Sequence, residues 1–270
     1  MAWVFYDIGL RVFLLGMHIA SLMGHQKARK SLAGRRGWAD RLSSAIKAIE
    51  NTRQGRWIHI HCASLGEFEQ GAPVMSALRK QAPDRPILLT FFSPSGMDSV
   101  APYMADHVDY LPFDTARNMR LFHDVLPAAD TILVKYELWP RLLETRLAGG
   151  TRIHLIAARF DARQYPANFW GGWIRKKLAH FKTVLVQDAA SARVISGFGI
   201  HAQTAGDPRI DRVCDTFRTA PSQAIQTKLN QISQWSGDRK ILVAGSVWPG
   251  EWSAIRELTP RLSASGWCVL

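Results

Sequence analysis

The sequence of 270 residues predicts an α/β fold: a parallel sheet with helices on both faces, and the start of a second unit of the same kind near the C-terminus. Three observations lead there. From Trp57 to Ala205, short apolar runs alternate with stretches of helical spacing, as in repeated strand–helix units. The strand ends are punctuated by turn residues, as at Ser93-Pro94-Ser95-Gly96 and Gly206-Asp207-Pro208. The pattern lapses through a polar stretch and restarts at Ile241-Leu242-Val243-Ala244. Heptads, low-complexity tracts and fixed-period repeats are absent.

The elements follow in order. Trp57, Ile58, Ile60 and Cys62 give the first strand its apolar, β-favouring run. A turn at Ser64 then opens a helix through Phe68, Val74, Met75 and Leu78. Pro86 to Phe92 is a strand, and Ser93 to Gly96 opens a helix. His107 to Leu111 is a short strand, and Asp114 is expected to cap the helix carrying Met119, Leu121, Phe122 and Val125. Thr131 to Val134 is a strand, Leu138 to Ala148 a helix ended by Gly149-Gly150, and Ile153 to Ala157 a strand. Thr183 to Val186, a helix ending near Gly197, and His201 to Ala205 complete the sheet. Pro221 to Trp235 is polar and helical and is expected to be a linker. Gly245-Ser246, a helix from Glu251 and a last strand at Gly266 to Leu270 begin a second unit that cannot bury a sheet alone. The sequence is therefore expected to be a fragment cut inside a second domain. The expected division is residues 1–24, a membrane helix; 25–56, a basic connector; 57–220, the first α/β domain; 221–238, a linker; and 239–270, the start of the second.

Composition narrows the classes. Hydrophobic residues make up 47% and charged residues 21%, the values of an ordinary globular chain. The net charge of +12 suits an anionic partner: a membrane face, nucleic acid or a phosphorylated substrate. No nucleic-acid motif accompanies the charge, which disfavours that class. Cys62, Cys214 and Cys268 lie far apart with no metal-ligand spacing, as expected of free thiols in a reducing compartment.

Met1 to Met23 is apolar and aromatic, interrupted by Asp7, Arg11 and His18, and is followed by Lys27, Arg29, Lys30, Arg35, Arg36 and Arg41. A secretory signal has its charge before the apolar stretch, so this order reads as a retained anchor with the following domain on the cytoplasmic side. Its length roughly matches the ~20 residues that span a bilayer. Asp7 and Arg11 are costly at mid-bilayer, although their i, i+4 spacing would let them pair. A helix lying in one leaflet avoids much of that cost, and both arrangements remain open. Phe169-Trp170-Gly171-Gly172-Trp173-Ile174-Arg175-Lys176-Lys177 mixes aromatics with cations, fitting either an interfacial surface or a helix with buried tryptophans.

Three turns carry candidate chemistry. Glu67 falls just past the first strand, where open α/β sheets bind ligands. The same Ser64-x-x-Glu67 spacing is a capping box, so Glu67 is a candidate for catalysis and for capping. Glu137, in Lys135-Tyr136-Glu137-Leu138-Trp139-Pro140, stands at the end of another strand, and two such turns can face one crevice. A general base at one and a substrate-binding carboxylate at the other would suit a transfer reaction. Gly245-Ser246, before Gly250-Glu251, could offer backbone N–H groups to a phosphate, without being a P-loop or a dinucleotide fingerprint.

Together these stretches resemble the Kdo (3-deoxy-D-manno-octulosonic acid) transferases of lipopolysaccharide synthesis. Ser64-Leu65-Gly66-Glu67 resembles their S-V-G-E motif and Tyr136-Glu137-Leu138-Trp139-Pro140 their T-E-L-W-P motif. Gly34-Arg35-Arg36-Gly37-Trp38, Ala158-Arg159, Gly206-Asp207-Pro208-Arg209-Ile210-Asp211 and Gly245-Ser246-Val247-Trp248-Pro249-Gly250-Glu251 follow the same family order. The resemblance implies a GT-B-type glycosyltransferase of two Rossmann-like domains, the first binding a lipid A precursor (lipid IVA) and the second CMP-Kdo. It implies Glu67 as the general base of an inverting transfer. Ser64, Gly66, Lys135, Glu137, Arg159 and Arg209 would meet substrate, and Gly245, Ser246 and Glu251 the nucleotide phosphate. No cofactor and no metal are implied. The implied place is the cytoplasmic face of the inner membrane, among anionic lipids. Leu65 and Lys135-Tyr136 depart from the usual residues, and the nucleotide-binding motifs of the family would lie beyond Leu270, so this chain alone is expected to be inactive. Another GT-B enzyme with a different nucleotide sugar, or a non-catalytic membrane-associated binding domain, are the alternatives.

Overall fold

The computed structural model describes residues 2–50, 53, 55–98, 105–163, 166, 171–219 and 222–270. Phe169 and Trp170 of the aromatic-basic stretch lie outside them. The chain forms two compact units, Met1–Val213 and Cys214–Leu270.

Three helices precede the sheet: α1 (Ala2–Leu22), α2 (Gln26–Gly34) and α3 (Trp38–Glu50). Then come β1 (Ile58–Cys62), α4 (Leu65–Gln81), β2 (Ile87–Phe91), α5 (Pro94–Met97), β3 (His107–Tyr110), α6 (Ala116–Val125), β4 (Asp130–Val134) and α7 (Pro140–Ala148). They are followed by β5 (Arg152–Ala158), α8 (Gly172–Leu178), β6 (Thr183–Val186), α9 (Ala189–Ser196), β7 (Gln203–Thr204) and α10 (Pro208–Arg218). Parallel pairing orders the sheet β3-β2-β1-β4-β5-β6-β7. Strand order reverses between β1 and β4, and that switch point is where such sheets open a crevice at their carboxyl ends.

The sheet is covered on both faces, so its central strands β1, β2 and β4 are buried throughout. Ile58, Ile60 and Cys62 of β1 pack with Phe68, Ala72 and Met75 of α4. Leu88, Leu133 and Leu155 pack on the opposite face with Leu42, Met119, Phe122 and Leu142. Burying each such side chain contributes about 2 kcal/mol. Gly71 permits the close approach of α4: a Cβ there would lie 3.1 Å from Cys62 Sγ and 3.5 Å from Val134 Cγ2.

Helix α1 lies along the first unit. Trp3, Tyr6, Asp7, Leu10, Leu14, Met17 and Ser21, spaced by three and four, form its half-buried stripe. Trp3 meets the Trp173 ring at 5.3 Å, Tyr6 donates to Asp114 at 2.6 Å, and Ser21 O accepts from Arg29 at 2.8 Å. The opposite stripe, with Val4, Phe5, Ile8, Val12, Leu15, Ile19 and Leu22, is exposed. Asp7 pairs with Arg141 at 2.6 Å instead of with Arg11, because the body of the domain offers a guanidinium to the inner stripe.

Asp114 does not cap α6; Thr115, one residue later, does, accepting from Asn118 N. Asp114 instead accepts from the amides of Arg141 and Leu142, both at 2.8 Å, capping α7 from across the fold. Burial pushes its carboxyl up to about 6, against the hydrogen bonds from Tyr6 and the two amides.

In the second unit, the end of α10 is followed by α11 (Gln223–Ser236), β8 (Lys240–Leu242), α12 (Pro249–Ala264) and β9 (Trp267–Val269), and β8 and β9 pair in parallel. Cys62, Cys214 and Cys268 are free thiols.

Candidate active site

Two turns flank the switch point. In the first, Ser64 is the extended N-cap residue of α4, and its side chain makes no capping bond. The expected capping box is not formed: Glu67, at the third helical position, turns its carboxylate back to accept the amide of Ala63, the residue before the N-cap. Burial and the neighbouring charge of Glu137 raise the Glu67 carboxyl to about 7, although the Ala63 and Ser64 amides and Lys135 favour ionisation. A bond to the turn's backbone and a raised pKa therefore coincide in one side chain.

In the second turn, Lys135 holds φ 67°, a left-handed conformation that costs a non-glycine residue about 1 kcal/mol. Its amide donates to Ile156 O at 2.8 Å, so strand pairing maintains the strain. The reversal brings Glu137 back beneath the β1 end. Trp139 Nε1 donates to Glu137 Oε2 at 2.6 Å, and His61 Nε2 lies 3.2 Å from the same oxygen. The Trp139 ring stacks on Phe92, centroids 4.8 Å apart. A cavity of about 340 Å³ beside Glu137 is lined by Tyr6, Tyr136, Leu138, Trp139, Pro140 and Trp173. Aromatic walls with one carboxylate are well suited to a sugar, offering ring faces to C–H groups and an acceptor to hydroxyls.

A polar chain runs beneath this turn. Thr90 Oγ1 is 2.9 Å from His61 Nδ1 and 2.8 Å from His59 Nε2. Burial, then the charges of Arg146 and His61, push His59 well below its usual range. His61, Thr90, Trp139 and Tyr6 went unnoticed in the sequence as site residues. The signal was present for the histidines: His59 and His61 alternate with Ile58, Ile60 and Cys62, so they share the other face of the strand.

The remaining candidates lie further out. Gly66 is exposed in the first turn of α4. Arg159, past β5, is 67% exposed and pairs with Asp188 at 3.8 Å. Arg209 pairs with Asp207 at 2.5 Å, and Asp207 also accepts from Gln70 of α4 at 3.2 Å. In the second unit, Ser246 holds φ 57°, and Glu251 accepts the Trp248 amide at 2.9 Å as a helix cap. Among the described residues no group of three or more His, Cys, Asp or Glu could hold a metal ion.

Residues 33–212 match the family model for 3-deoxy-D-manno-octulosonic-acid transferase (kdotransferase). The chain is 27% identical over 201 residues to the 3-deoxy-D-manno-octulosonic acid transferase of Haemophilus influenzae, covering 72% of this chain and 45% of that protein. It is 24% identical over 228 residues to a bifunctional glycosyltransferase/methyltransferase of Fusobacterium nucleatum, covering 79% and 34%. The chain thus spans less than half the length of these curated relatives. Among solved structures, it resembles UDP-GlcNAc 2-epimerases of Neisseria meningitidis and Listeria monocytogenes. The TM-scores are 0.59 and 0.57, with 14% and 10% identity, covering 79% and 80% of this chain and 64% and 62% of those chains. That likeness shows the GT-B, Rossmann-like fold alone. With two thirds of its length under the family model, the chain belongs to the Kdo transferase family.

Proposed function

We propose that the protein transfers Kdo from CMP-Kdo to a lipid A precursor (lipid IVA), with Glu67 as general base. The observation that carries this reading is the pair of carboxylates at the switch point, one of them raised to about 7. Such a carboxyl is ionised in a useful fraction at neutral pH, yet is more basic than an ordinary one. Glu67 takes the proton of an acceptor hydroxyl as that oxygen attacks the anomeric carbon of Kdo. The bond from that carbon to the CMP phosphate oxygen breaks on the opposite face, and CMP leaves with the electron pair. The product has inverted configuration.

Glu137, held on one oxygen by Trp139 and His61, meets the acceptor sugar, with Ser64, Gly66 and Lys135 at the rim of the crevice. Arg159 and Arg209, both largely exposed, are available to acceptor phosphates. Gly245, Ser246 and Glu251 would serve the donor phosphate from the second unit.

The anchor reading is supported by α1. A helix held to the first unit at Tyr6, Asp7 and Ser21 lies in the plane of one leaflet, its exposed apolar stripe in the acyl region. A cavity of about 600 Å³ at its C-terminal end, lined by Arg29 and Arg36, and Lys176 and Lys177 near its N-terminal end suit anionic headgroups. The inner membrane, seen from the cytoplasm, is the implied location.

The test uses the protein expressed from its whole reading frame, with CMP-Kdo and lipid IVA. CMP release and a Kdo-sized mass gain on the lipid, both lost in Glu67→Gln, are expected. CMP release with another nucleotide sugar in place of CMP-Kdo would reassign the donor. Retained turnover in Glu67→Gln would remove Glu67 as base. Acceptor binding without turnover from any donor would favour a binding module.

A further inference from the structure

We propose that Thr90 is a positioning residue for Glu137, acting through the tautomer of His61. The sheet register sets Thr90 of β2 directly beside His61 of β1. Thr90, His61 and His59 are each 0% exposed, so hydrogen bonds among them are made by protein groups.

The donor inventory and the distances then favour one arrangement of the protons. Trp139 Nε1–H can only donate; it lies 2.6 Å from Glu137 Oε2 and 3.1 Å from His61 Nε2, and the shorter contact, to the carboxyl oxygen, takes its proton. For that oxygen to accept from both neighbours, His61 Nε2, 3.2 Å away, carries the ring proton. With a single ring proton, at Nε2, Nδ1 is a bare lone pair. It lies 2.9 Å from Thr90 Oγ1, whose hydroxyl donates to it. That leaves the Thr90 oxygen free to accept from His59 Nε2–H at 2.8 Å. His59 Nδ1, buried without a partner, is the unprotonated end of the chain. All donations therefore run one way, from His59 through Thr90 and His61 to Glu137. Both protein contacts fall on Oε2 and leave Oε1 of Glu137 to a ligand hydroxyl.

A competing acceptor makes the hydroxyl decisive. The Thr90 carbonyl oxygen lies 3.1 Å from His61 Nδ1. With the hydroxyl gone, that carbonyl is the remaining partner, and His61 gains by moving its proton to Nδ1. A bare Nε2 would then compete with Glu137 Oε2 for the Trp139 N–H, 3.1 Å from it, and face that oxygen with lone pair against lone pair, and the carboxylate would turn away.

The test compares Thr90→Val, nearly isosteric, with Thr90→Ser, which keeps the hydroxyl. Long-range ¹H–¹⁵N NMR of histidine-labelled protein reads the His61 tautomer directly. The expected result is a neutral Nε2–H ring in the wild type and in Thr90→Ser, and an Nδ1–H ring in Thr90→Val. A wild-type imidazolium or Nδ1–H form, or no change in Thr90→Val, overturns the proposal. The second arm rests on the reading of Glu137 as an acceptor-binding group. The Kd for lipid IVA in detergent micelles should rise about tenfold in Thr90→Val and recover in Thr90→Ser, the effect of one lost charge-assisted hydrogen bond. A switched tautomer with unchanged affinity also overturns positioning. Failure of the wild type to bind lipid IVA would instead count against the proposed function, while the tautomer arm still decides the proton chain.

Discussion

Asp130 and Glu67 are carboxylates at opposite ends of one parallel sheet, and their surroundings push them in opposite directions. Asp130 opens β4 at the amino end. It accepts from Arg152 at 2.7 Å, from Arg85 at 2.7 Å and from His154 at 3.3 Å. Burial opposes its ionisation, but these three donors outweigh burial and hold the carboxyl well below the usual range. Glu67 opens α4 at the carboxyl end, with backbone amides as donors and a second carboxylate, Glu137, nearby; its carboxyl rises to about 7. Both ends of the sheet bury a negative charge. At the amino end the charge ties β4 to β5 and to Arg85 in the segment that leads into β2. At the carboxyl end it is left under-compensated, which is what the proposed role of Glu67 as proton acceptor requires.

Function should separate the two most strongly. Glu67→Gln is expected to lower kcat for Kdo transfer by about 10³-fold, within the range for a lost general base. Asp130→Asn, far from the crevice, should leave kcat and KM nearly unchanged at temperatures where it is folded. A steady-state transfer assay on both variants decides this. Equal losses would mean that Glu67 acts through the fold.

Stability should separate them in the opposite sense. Asp130→Asn is expected to destabilise the protein by about 2 kcal/mol at pH 7, since Arg85 and Arg152 then lose their shared partner; the figure is held down by the exposure of Arg152. A group whose folded pKa is depressed contributes stability above its unfolded value, near 3.8. The wild-type advantage should therefore shrink as the pH falls below about 4. Urea unfolding at pH 7 and pH 3.5 measures both effects.

The same contrast explains what could be read in the sequence. The sheet was legible because a strand buried on both faces needs a near-continuous apolar run, as at Ile87 to Phe91, interrupted only by Thr90. The two acidic turns were legible because strand ends of open sheets carry function, and Glu67 and Glu137 each follow a strand directly. What holds those carboxylates was not. Thr90 meets His61 through strand register, and Asp114 meets Tyr6 and α7 across 108 and 27 residues of sequence. Asp114 was expected to cap its own helix, since a local cap is what sequence spacing can express. Asp7 likewise was matched to Arg11 by helical spacing, and the domain supplied Arg141. Periodicity reports which face of an element is buried, but not which polar group from another element waits there.

The smallest expected effect is the mirror image of the Asp130 result. A carboxyl whose folded pKa is raised binds its proton more tightly in the native state. Between the unfolded value, near 4.5, and about 7, native Glu67 holds a proton that the unfolded chain has released. Rising pH through that window removes stability, and above it the cost is complete. Glu67→Gln abolishes that cost, because glutamine has no proton to lose. The variant should match the wild type near pH 4.5 and exceed it by about 1 kcal/mol at pH 8, a figure discounted for partial solvent access. Urea unfolding at the two pH values tests this, and the same variant must be nearly inactive. A variant less stable than wild type at pH 8 would make Glu67 chiefly a helix cap, like Asp114, and would dissolve the contrast between the two ends of the sheet.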